Sequence, residues 1–452
     1  MSSKPAYILP WALLLAVAGC SPAIDAPDIR DVTSLKQDCR AYVAPAAADK
    51  PLIEPARLAH LNDAFRRQWM RPWDPQSRPP EAEVVRKAFT NLETRPGYAE
   101  NLLPHVASFA QELMASASLG DYPNRADMAI TIRNTNLRVL PTLRPRFEAI
   151  NKAGEGYPFD SLQESAIWAG TPLLLCHASV DGAWVFVDSS CGVGWVPRQD
   201  VATLDEESLR RYQGLPLVAV IKDNVPVTDA ETGALLFATH IGAVLPLIAD
   251  RPDGLEVVAV ARDIEGKAVL RRAVLAKSQA VAIPLDPTPA NVAMLANEML
   301  GDPYGWGGLF EGRDCSATTR DLMAPFGIYL PRNSSGQARA YRGVTLKGLP
   351  GPQKEQLILE KGVPFMTLIS LPGHVALYIG GDNGRAIIMH NFWGIRTRRD
   401  GVEGRKIVGR CVITSLQPGA ELSDLDQPRD YRDRLENMVF VGIEEDEQAS
   451  TR

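Results

Sequence analysis

The sequence predicts an α+β chain: a short helical segment, two small β-rich units, and a final unit in which a helix carrying a thiol precedes an antiparallel sheet carrying imidazoles. Three observations lead there. Apolar residues recur at helical spacing from Arg57 to about Ser118. From Ala129 the pattern changes to short β-rich runs with turn punctuation, and a second, more diverged set of such runs follows after Leu204. After "DPTPANVAMLANEML" come a cysteine at a helix start and two histidines on neighbouring strands.

At the start of the chain, Lys4 precedes an apolar run from Ala6 to Ala18 that closes on Val17-Ala18-Gly19-Cys20. The run is too short to span a bilayer as a mature helix, and small residues before a cysteine suit cleavage at Gly19 and lipidation of Cys20. Residues 1–19 are therefore expected to be a lipoprotein signal peptide, with a plain secretory signal as the alternative. Ser21 after the cysteine, in place of Asp, points by analogy to the outer membrane. The expected location is the periplasm, with the lipid as the contact to the membrane. Removing residues 1–19 deletes only Lys4, which takes the formal charge from −6 to −7. A mildly acidic chain is a poor partner for nucleic acid.

Residues 20–54, rich in Pro, Ala and Asp, read as a tether with little order. Residues 55–120 read as a helical clip whose "QWMRPW" aromatics pack on a neighbour; His60 and His105 are structural. Residues 121–204 and 205–285 each resemble a bacterial SH3-like β-barrel. The first has a hairpin turned at Asp181-Gly182, a closing "GWV", and "YPFDSLQESAIWAGTP" as a long first loop. His177 and His240 are expected to be strand residues without catalytic weight. Besides Cys20 there are five cysteines, an odd number for an oxidising compartment. A Cys176–Cys191 disulfide and two buried thiols are equally compatible with the spacing. No C-x-x-C or histidine cluster at ligand spacing occurs, so neither a metal nor a cofactor is expected.

The last unit, residues 286–445, opens with Thr288 as a cap and Pro289 in the first helical turn. Cys315 begins "CSATTRDLMAPFG", a short helix halted by Pro325. A helix N-terminus supplies N–H groups and roughly half a positive charge, which favour a thiolate. The Cys315 N–H is also placed for an oxyanion. His374 and His390 flank a stretch of turn formers, Gly380 to Arg385. Their midpoint, Asp382, puts the two imidazoles opposite one another or one residue out of register. One histidine can then orient the other as a base toward the thiol.

On "YGWGG", "DCSA", "LPRNSSGQA", "GHVALYIGG" and "MHNFW", from about Ala290 to Ile443, the chain resembles the NlpC-type, papain-like cysteine peptidases of bacterial cell walls. Ala317 stands where that family usually has glycine. The resemblance implies Cys315 as nucleophile, His374 as base, His390 as the orienting third member, and Tyr304 as a further oxyanion donor. A helical clip and two SH3-like units ahead of the peptidase resemble the subgroup that hydrolyses the bond between γ-D-glutamate and an L-diamino acid such as meso-diaminopimelate. That subgroup implies peptidoglycan stem peptides with a free N-terminal L-alanine as substrates. It assigns binding to Asp314 and Ser316, with Trp306 beside them and the loop of Tyr157 and Asp160 closing the cleft. Asp314 has a competing role as helix N-cap. The alternatives are a non-hydrolytic murein-binding lipoprotein, or a hydrolase or acyl transferase acting on a non-wall amide.

Overall fold

The computed structural model describes residues 28–426 and 431–443. The expected signal peptide and Cys20 lie outside the described residues. Inside them, the expected tether is replaced by packed structure: α1 (Arg30–Ser34) and two short 3-10 turns run over the last domain. Asp31 accepts from the N–H and hydroxyl of Ser415 (2.8 and 2.7 Å), and the Cys39 N–H donates to Asn297 Oδ1 at 2.7 Å. Ile29, Leu35, Cys39, Leu52 and Ile53 are buried there. These anchors lack any period, so composition alone misses them.

The clip consists of α2 (Pro55–Met70), α3 (Ala82–Thr94) and α4 (Ser108–Ala117). Trp73 follows α2, is buried against Tyr212, and donates its indole N–H to the carbonyls of Ala129 and Leu173. The clip thus docks on the first β-rich unit through Trp73, while Trp69, the other aromatic of the "QWMRPW" run, packs beside Leu217 and Val244 of the second unit and Ala324 of the last domain.

The first β-rich unit comprises β1 (Asp127–Thr131), β2 (Thr135–Arg138), β3 (Gln163–Ile167), β4 (Pro172–Ala178), β5 (Trp184–Ser189), β6 (Gly192–Pro197) and β7 (Val201–Thr203). They form one sheet in the order β3-β2-β6-β5-β4-β1-β7. The segment expected to be all loop contains β3, whose alternating Gln163, Ser165 and Ile167 are buried. After α5 (Glu206–Gly214) the second unit contains β8 (Leu217–Val220), β9 (Val225–Thr228), β10 (Leu235–Thr239), β11 (Val244–Arg251), β12 (Gly254–Arg262), β13 (Ala268–Leu275) and β14 (Ala280–Ala282). It divides into a five-stranded sheet, β13-β12-β11-β8-β14, and a ribbon of β9 and β10. Neither unit closes into the expected barrel among the described residues. In the first, the edge strands β3 and β7 pair with β2 and β1 and not with one another. His177 lies on β4, but His240 sits in the loop after β10 and not in a strand.

The last domain sets α6 (Pro289–Met299), α7 (Cys315–Met323), α8 (Ser334–Gln337) and α9 (Gly351–Lys361) around a six-stranded sheet. Its strands are β15 (Gly343–Thr345), β16 (Thr367–Leu371), β17 (His374–Asp382), β18 (Arg385–Arg399), β19 (Val402–Ser415) and β20 (Asn437–Phe440), in the order β15-β20-β16-β17-β18-β19. Thr288 caps α6 through the Asn291 N–H, as its sequence indicates. The apolar core of this domain runs from α6 and α7 onto β16, β17 and β18. All five cysteines among the described residues are free, so the Cys176–Cys191 bridge is absent.

Candidate active site

Asp314 caps α7: its Oδ1 accepts from the Ala317 N–H at 2.8 Å, which sets Cys315 in the first turn. The turn before the cap is pinned at the Arg313 carbonyl, which accepts from the Gly305 N–H (3.0 Å) and Asn391 Nδ2 (2.8 Å). Cys315 is only 7% exposed. The backbone at Val375, next to His374, and at Ser316 acts in favour of the thiolate. Burial and the Asp314 charge nevertheless push the thiol up to about 12.

The two histidines meet, but by a route different from the expected register. A two-residue turn, Asn383-Gly384, has positive φ at both residues (50° and 75°), the conformation that suits a tight hairpin. An irregularity between Tyr378 and Gly380 then shifts the pairing, so Leu377 faces Met389. His374 and His390 are therefore diagonal neighbours on one face and not opposed. Their rings are 5.1 Å apart, with His374 Nε2 2.9 Å from His390 Nδ1.

Partner logic fixes the protons. Thr414 donates its hydroxyl to the Ser415 carbonyl at 2.8 Å, so it accepts from His390 Nε2–H at 3.1 Å. His390 Nδ1 then accepts from His374 Nε2–H, with the Tyr431 hydroxyl a second donor at 3.3 Å. His374 Nδ1 has no hydrogen-bond partner among the described residues, which leaves its lone pair free. Burial, helped by the Arg434 charge, draws His374 down to about 3, and burial with His374 beside it lowers His390 far below its usual range. Thr414 and Tyr431 escaped sequence reading because neither stands in a motif; only the pairing of β18 with β19 brings Thr414 in.

"LPRNSSGQA" proves to be a clamp on α7. Gln337 Nε2 donates to the carbonyls of Ser316 and Pro331 (2.8 and 2.9 Å). Arg332 donates to both oxygens of Asp314 (2.8 and 3.1 Å), to Ser316 Oγ (3.0 Å), and across the domain boundary to Ser165 Oγ (2.8 Å). Asp314 also accepts from the Ser316 hydroxyl and the Gly307 N–H (3.0 and 3.1 Å). Burial opposes its ionisation, but Arg332 and these donors outweigh burial and hold the carboxyl below the usual range. Asp314 and Ser316, expected to bind substrate, are thus buried and fully engaged. Five donors fill a carboxylate with about four lone-pair sites.

The first β-rich unit reaches the site through β3 and its preceding loop. Gly307 and Gly308 adopt φ of 57° and 85° against β3, where an added Cβ would come within 2.7 Å of the Gln163 carbonyl oxygen and 2.5 Å of the Ala166 nitrogen. Trp306 donates its indole N–H to the Asp160 carbonyl at 2.9 Å. The Asp160 carboxylate itself is 1% exposed and turned inward, bonded to Arg138 at 2.7 Å and to the N–H groups of Arg146 and Leu162. It holds the loop and does not face a ligand, contrary to expectation. Tyr157, 58% exposed, stands edge-on to Trp393 at the rim. Phe159, absent from the expected set, packs against Tyr304, Trp306 and Trp393.

These groups enclose a cleft of about 390 Å3 that His374, Tyr304, Trp306, Phe159, Trp393 and Tyr431 line. The Tyr304 hydroxyl has no hydrogen-bond partner among the described residues, and burial beside Cys315 and Asp314 keeps it a neutral phenol. Beneath the site, Arg313 joins two domains: it pairs with Asp223 of the second β-rich unit (2.6 Å) and with Asp302 and Asp321 of its own (both 3.1 Å). His240, expected to have no catalytic weight, has a structural place here: it bonds to Asp223 and Glu311, and Glu311 accepts from Asn134 of the first unit. Among the described residues no group of three or more metal-ligating side chains is assembled.

Comparison with known proteins places four family profiles on the chain. The NlpC/P60 family matches residues 301–398, the NLPC_P60 stabilising N-terminal domain 6–122, an SH3 domain of SH3b1 type 145–197, and an SH3 domain of SH3b2 type 205–252. No curated protein matches the chain. Among solved structures, an NlpC/P60 endopeptidase from Photobacterium damselae subsp. piscicida is 26% identical, with a TM-score of 0.82 over 92% of this chain and 98% of that one. An NlpC/P60 family protein from Bacillus cereus is 18% identical, covering 70% of this chain and all of its own, with a TM-score of 0.47. The chain thus carries an NlpC/P60 domain, preceded by an NLPC_P60 stabilising domain and two SH3-type domains.

Proposed function

We propose that this protein is a cysteine endopeptidase that hydrolyses the γ-D-glutamyl to L-diamino acid bond of peptidoglycan stem peptides, acting in the periplasm as a lipoprotein anchored through Cys20. The observation that carries the reading is the relay from Thr414 through His390 to His374, which leaves the Nδ1 lone pair of His374 free beside the α7 N-terminus. The endopeptidase of similar architecture supports it. We place the domain divisions near residues 120, 204 and 285.

Burial favours an uncharged thiol and an uncharged His374, so the proton moves as the bond forms. His374 Nδ1 takes the Cys315 proton while the sulfur adds to the γ-carbonyl carbon. The carbonyl oxygen, now an anion, is held by the Cys315 N–H at the α7 N-terminus and by the Tyr304 hydroxyl. The C–N bond breaks as His374 returns its proton to the leaving amine. Water then attacks the thioester with His374 again as base, releasing the glutamyl acid and the thiol. His390, unable to reach substrate through its occupied nitrogens, orients His374.

The loop before β3 supports a cleft closed at one end: Phe159 packs on Tyr304 and Trp306, and Arg405 ties the loop down through the carbonyls of Lys152 and Tyr157 (2.8 and 3.3 Å). A closed end suits a short peptide with a free L-alanine amine. With Asp314 already engaged, its charge acts on that ammonium through space, and a direct bond requires displacement of one of its present donors.

The test is incubation with L-Ala-γ-D-Glu-meso-diaminopimelate and its N-acetyl form, with products read by mass spectrometry. Release of diaminopimelate from the free peptide, with the acetylated one spared, is expected. No cleavage, or cleavage at the L-Ala bond, overturns the reading; equal rates on both peptides overturn the closed end alone.

A further inference from the structure

Three arginines line the cleft, and among the described residues only one has a carboxylate to answer it. Arg396 pairs with Glu403 and Asp426. Arg405 is spent on the two loop carbonyls. The Arg434 side chain is exposed and makes no hydrogen bond or ion pair among the described residues. It stands with Tyr431 on the His374 side of the cleft, whereas the SH3-type domain contributes the side next to Tyr304 and Trp306. His374 is the group that must hand its proton to the leaving amine. A cation beside it therefore faces the amino acid that leaves.

We propose that Arg434 is a specificity-determining residue that recognises a carboxylate on the leaving diamino acid. This rests on the proposed peptidase reading and names the substrate feature that the same cleft selects. Guanidinium and carboxylate meet as a planar, two-pronged pair, and an Arg that lines the cleft with no carboxylate paired to it among the described residues is a natural receiver of one. A diaminopimelate leaving group offers two such groups, one on the main chain and one at the end of its side chain; lysine offers only the first.

The position also couples recognition to chemistry. The groups acting on His374 are His390 on β18, Cys315 and Asp314 at the head of α7, and Tyr431 and Arg434 from the segment after β19. Of these, Arg434 is the cation, and it disfavours the imidazolium that forms during attack. A substrate carboxylate that pairs with Arg434 cancels that effect and makes His374 a better base only when the right substrate is bound. Selectivity then appears in kcat as well as KM.

The experiment compares three tripeptides ending in meso-diaminopimelate, in L-lysine, or in the C-terminal amide of diaminopimelate. Wild type, Arg434→Gln and Arg434→Lys are assayed for kcat and KM, and peptide binding to Cys315→Ala is measured by calorimetry. Wild type should lose about 10- to 100-fold in kcat/KM on whichever peptide lacks the recognised carboxylate. The lysine arm reports the side-chain group and the amide arm the main-chain group. Arg434→Gln should bring the ratios near one, Arg434→Lys should retain part of the preference, and the acid limb of kcat/KM should move to higher pH in Arg434→Gln as the opposing cation goes. Equal use of all three peptides by wild type, or unchanged ratios in Arg434→Gln, overturns the inference. If none is cleaved, the peptidase reading fails, and the binding ratios on Cys315→Ala still decide whether the cleft selects a carboxylate.

Discussion

Replacing Arg332 with Met tests how the site is held. The guanidinium is buried at 7% exposure and makes four hydrogen bonds, two to Asp314 and one each to Ser316 and Ser165. Met fills similar volume but leaves the Asp314 carboxylate buried with neutral donors only. Breaking a buried pair in this way costs about 3–5 kcal/mol. For a cooperative unit the size of the last domain, that corresponds to a fall of about 6–20 °C in Tm. Asp314→Asn in the same chain removes the stranded charge, so the double variant should be no less stable than Arg332→Met alone. The deficit of the single variant should also shrink as pH falls. In wild type the lowered Asp314 pKa gives stability that is present above the ordinary carboxylate range and lost in acid, and in the variant protonation relieves the unpaired charge. Thermal and urea unfolding of the four proteins across pH 4–8 provide the cycle. A cost under about 1 kcal/mol, or single effects that add within about 0.5 kcal/mol, would refute the argument that charge pairing at Arg332 holds the α7 cap.

Cys315→Ala should fold normally and abolish turnover; His374→Ala should be nearly as damaging, and His390→Ala partial, with a loss of roughly 10- to 1000-fold measured on the free tripeptide. Wild-type activity in His374→Ala would remove its role as base. His240 is lowered by burial but raised more by Asp223 and Glu311, to about 9. Its raised pKa gives stability that is complete below about pH 6.5 and lost as pH passes through 9, so the Tm gap between wild type and His240→Gln should be wide at pH 6 and narrow at pH 10. A gap independent of pH contradicts the ion pairing across the junction. The precursor should fractionate with membranes and Cys20→Ala should not; soluble wild type would count against lipidation.

Local signals carried far in this chain. Thr288 and Pro289 mark the start of α6, Asp314 caps α7, and the turn formers around Asp382 give a hairpin with both histidines on one face, because each device acts within a few residues. What failed was long-range. The hairpin turns at Asn383-Gly384 and not at Asp382, and the one-position shift between Tyr378 and Gly380 then leaves His390 diagonal to His374 on the same face; no residue type announces either. Residues 28–54 read as tether because their anchors, Asp31 to Ser415 and Cys39 to Asn297, find partners hundreds of residues away. Asp314 and Asp160 were legible as important acids, but their partners Arg332 and Arg138 lie 18 and 22 residues off, so structural and ligand-binding roles could not be separated. Arg434 follows a stretch without motif and gains meaning only from the cleft it lines.

The central claim joins one nucleophile to one bond, and trapping the intermediate tests both together. Wild type and His390→Ala are mixed with L-Ala-γ-D-Glu-meso-diaminopimelate, quenched in acid within a turnover, and digested for peptide mass spectrometry. The account predicts an L-Ala-D-Glu acyl group, attached through its γ-carbonyl, on the peptide that contains Cys315, with diaminopimelate released in equal amount. An adduct on another residue, an adduct carrying diaminopimelate, or release of diaminopimelate from Cys315→Ala at the wild-type rate would contradict it.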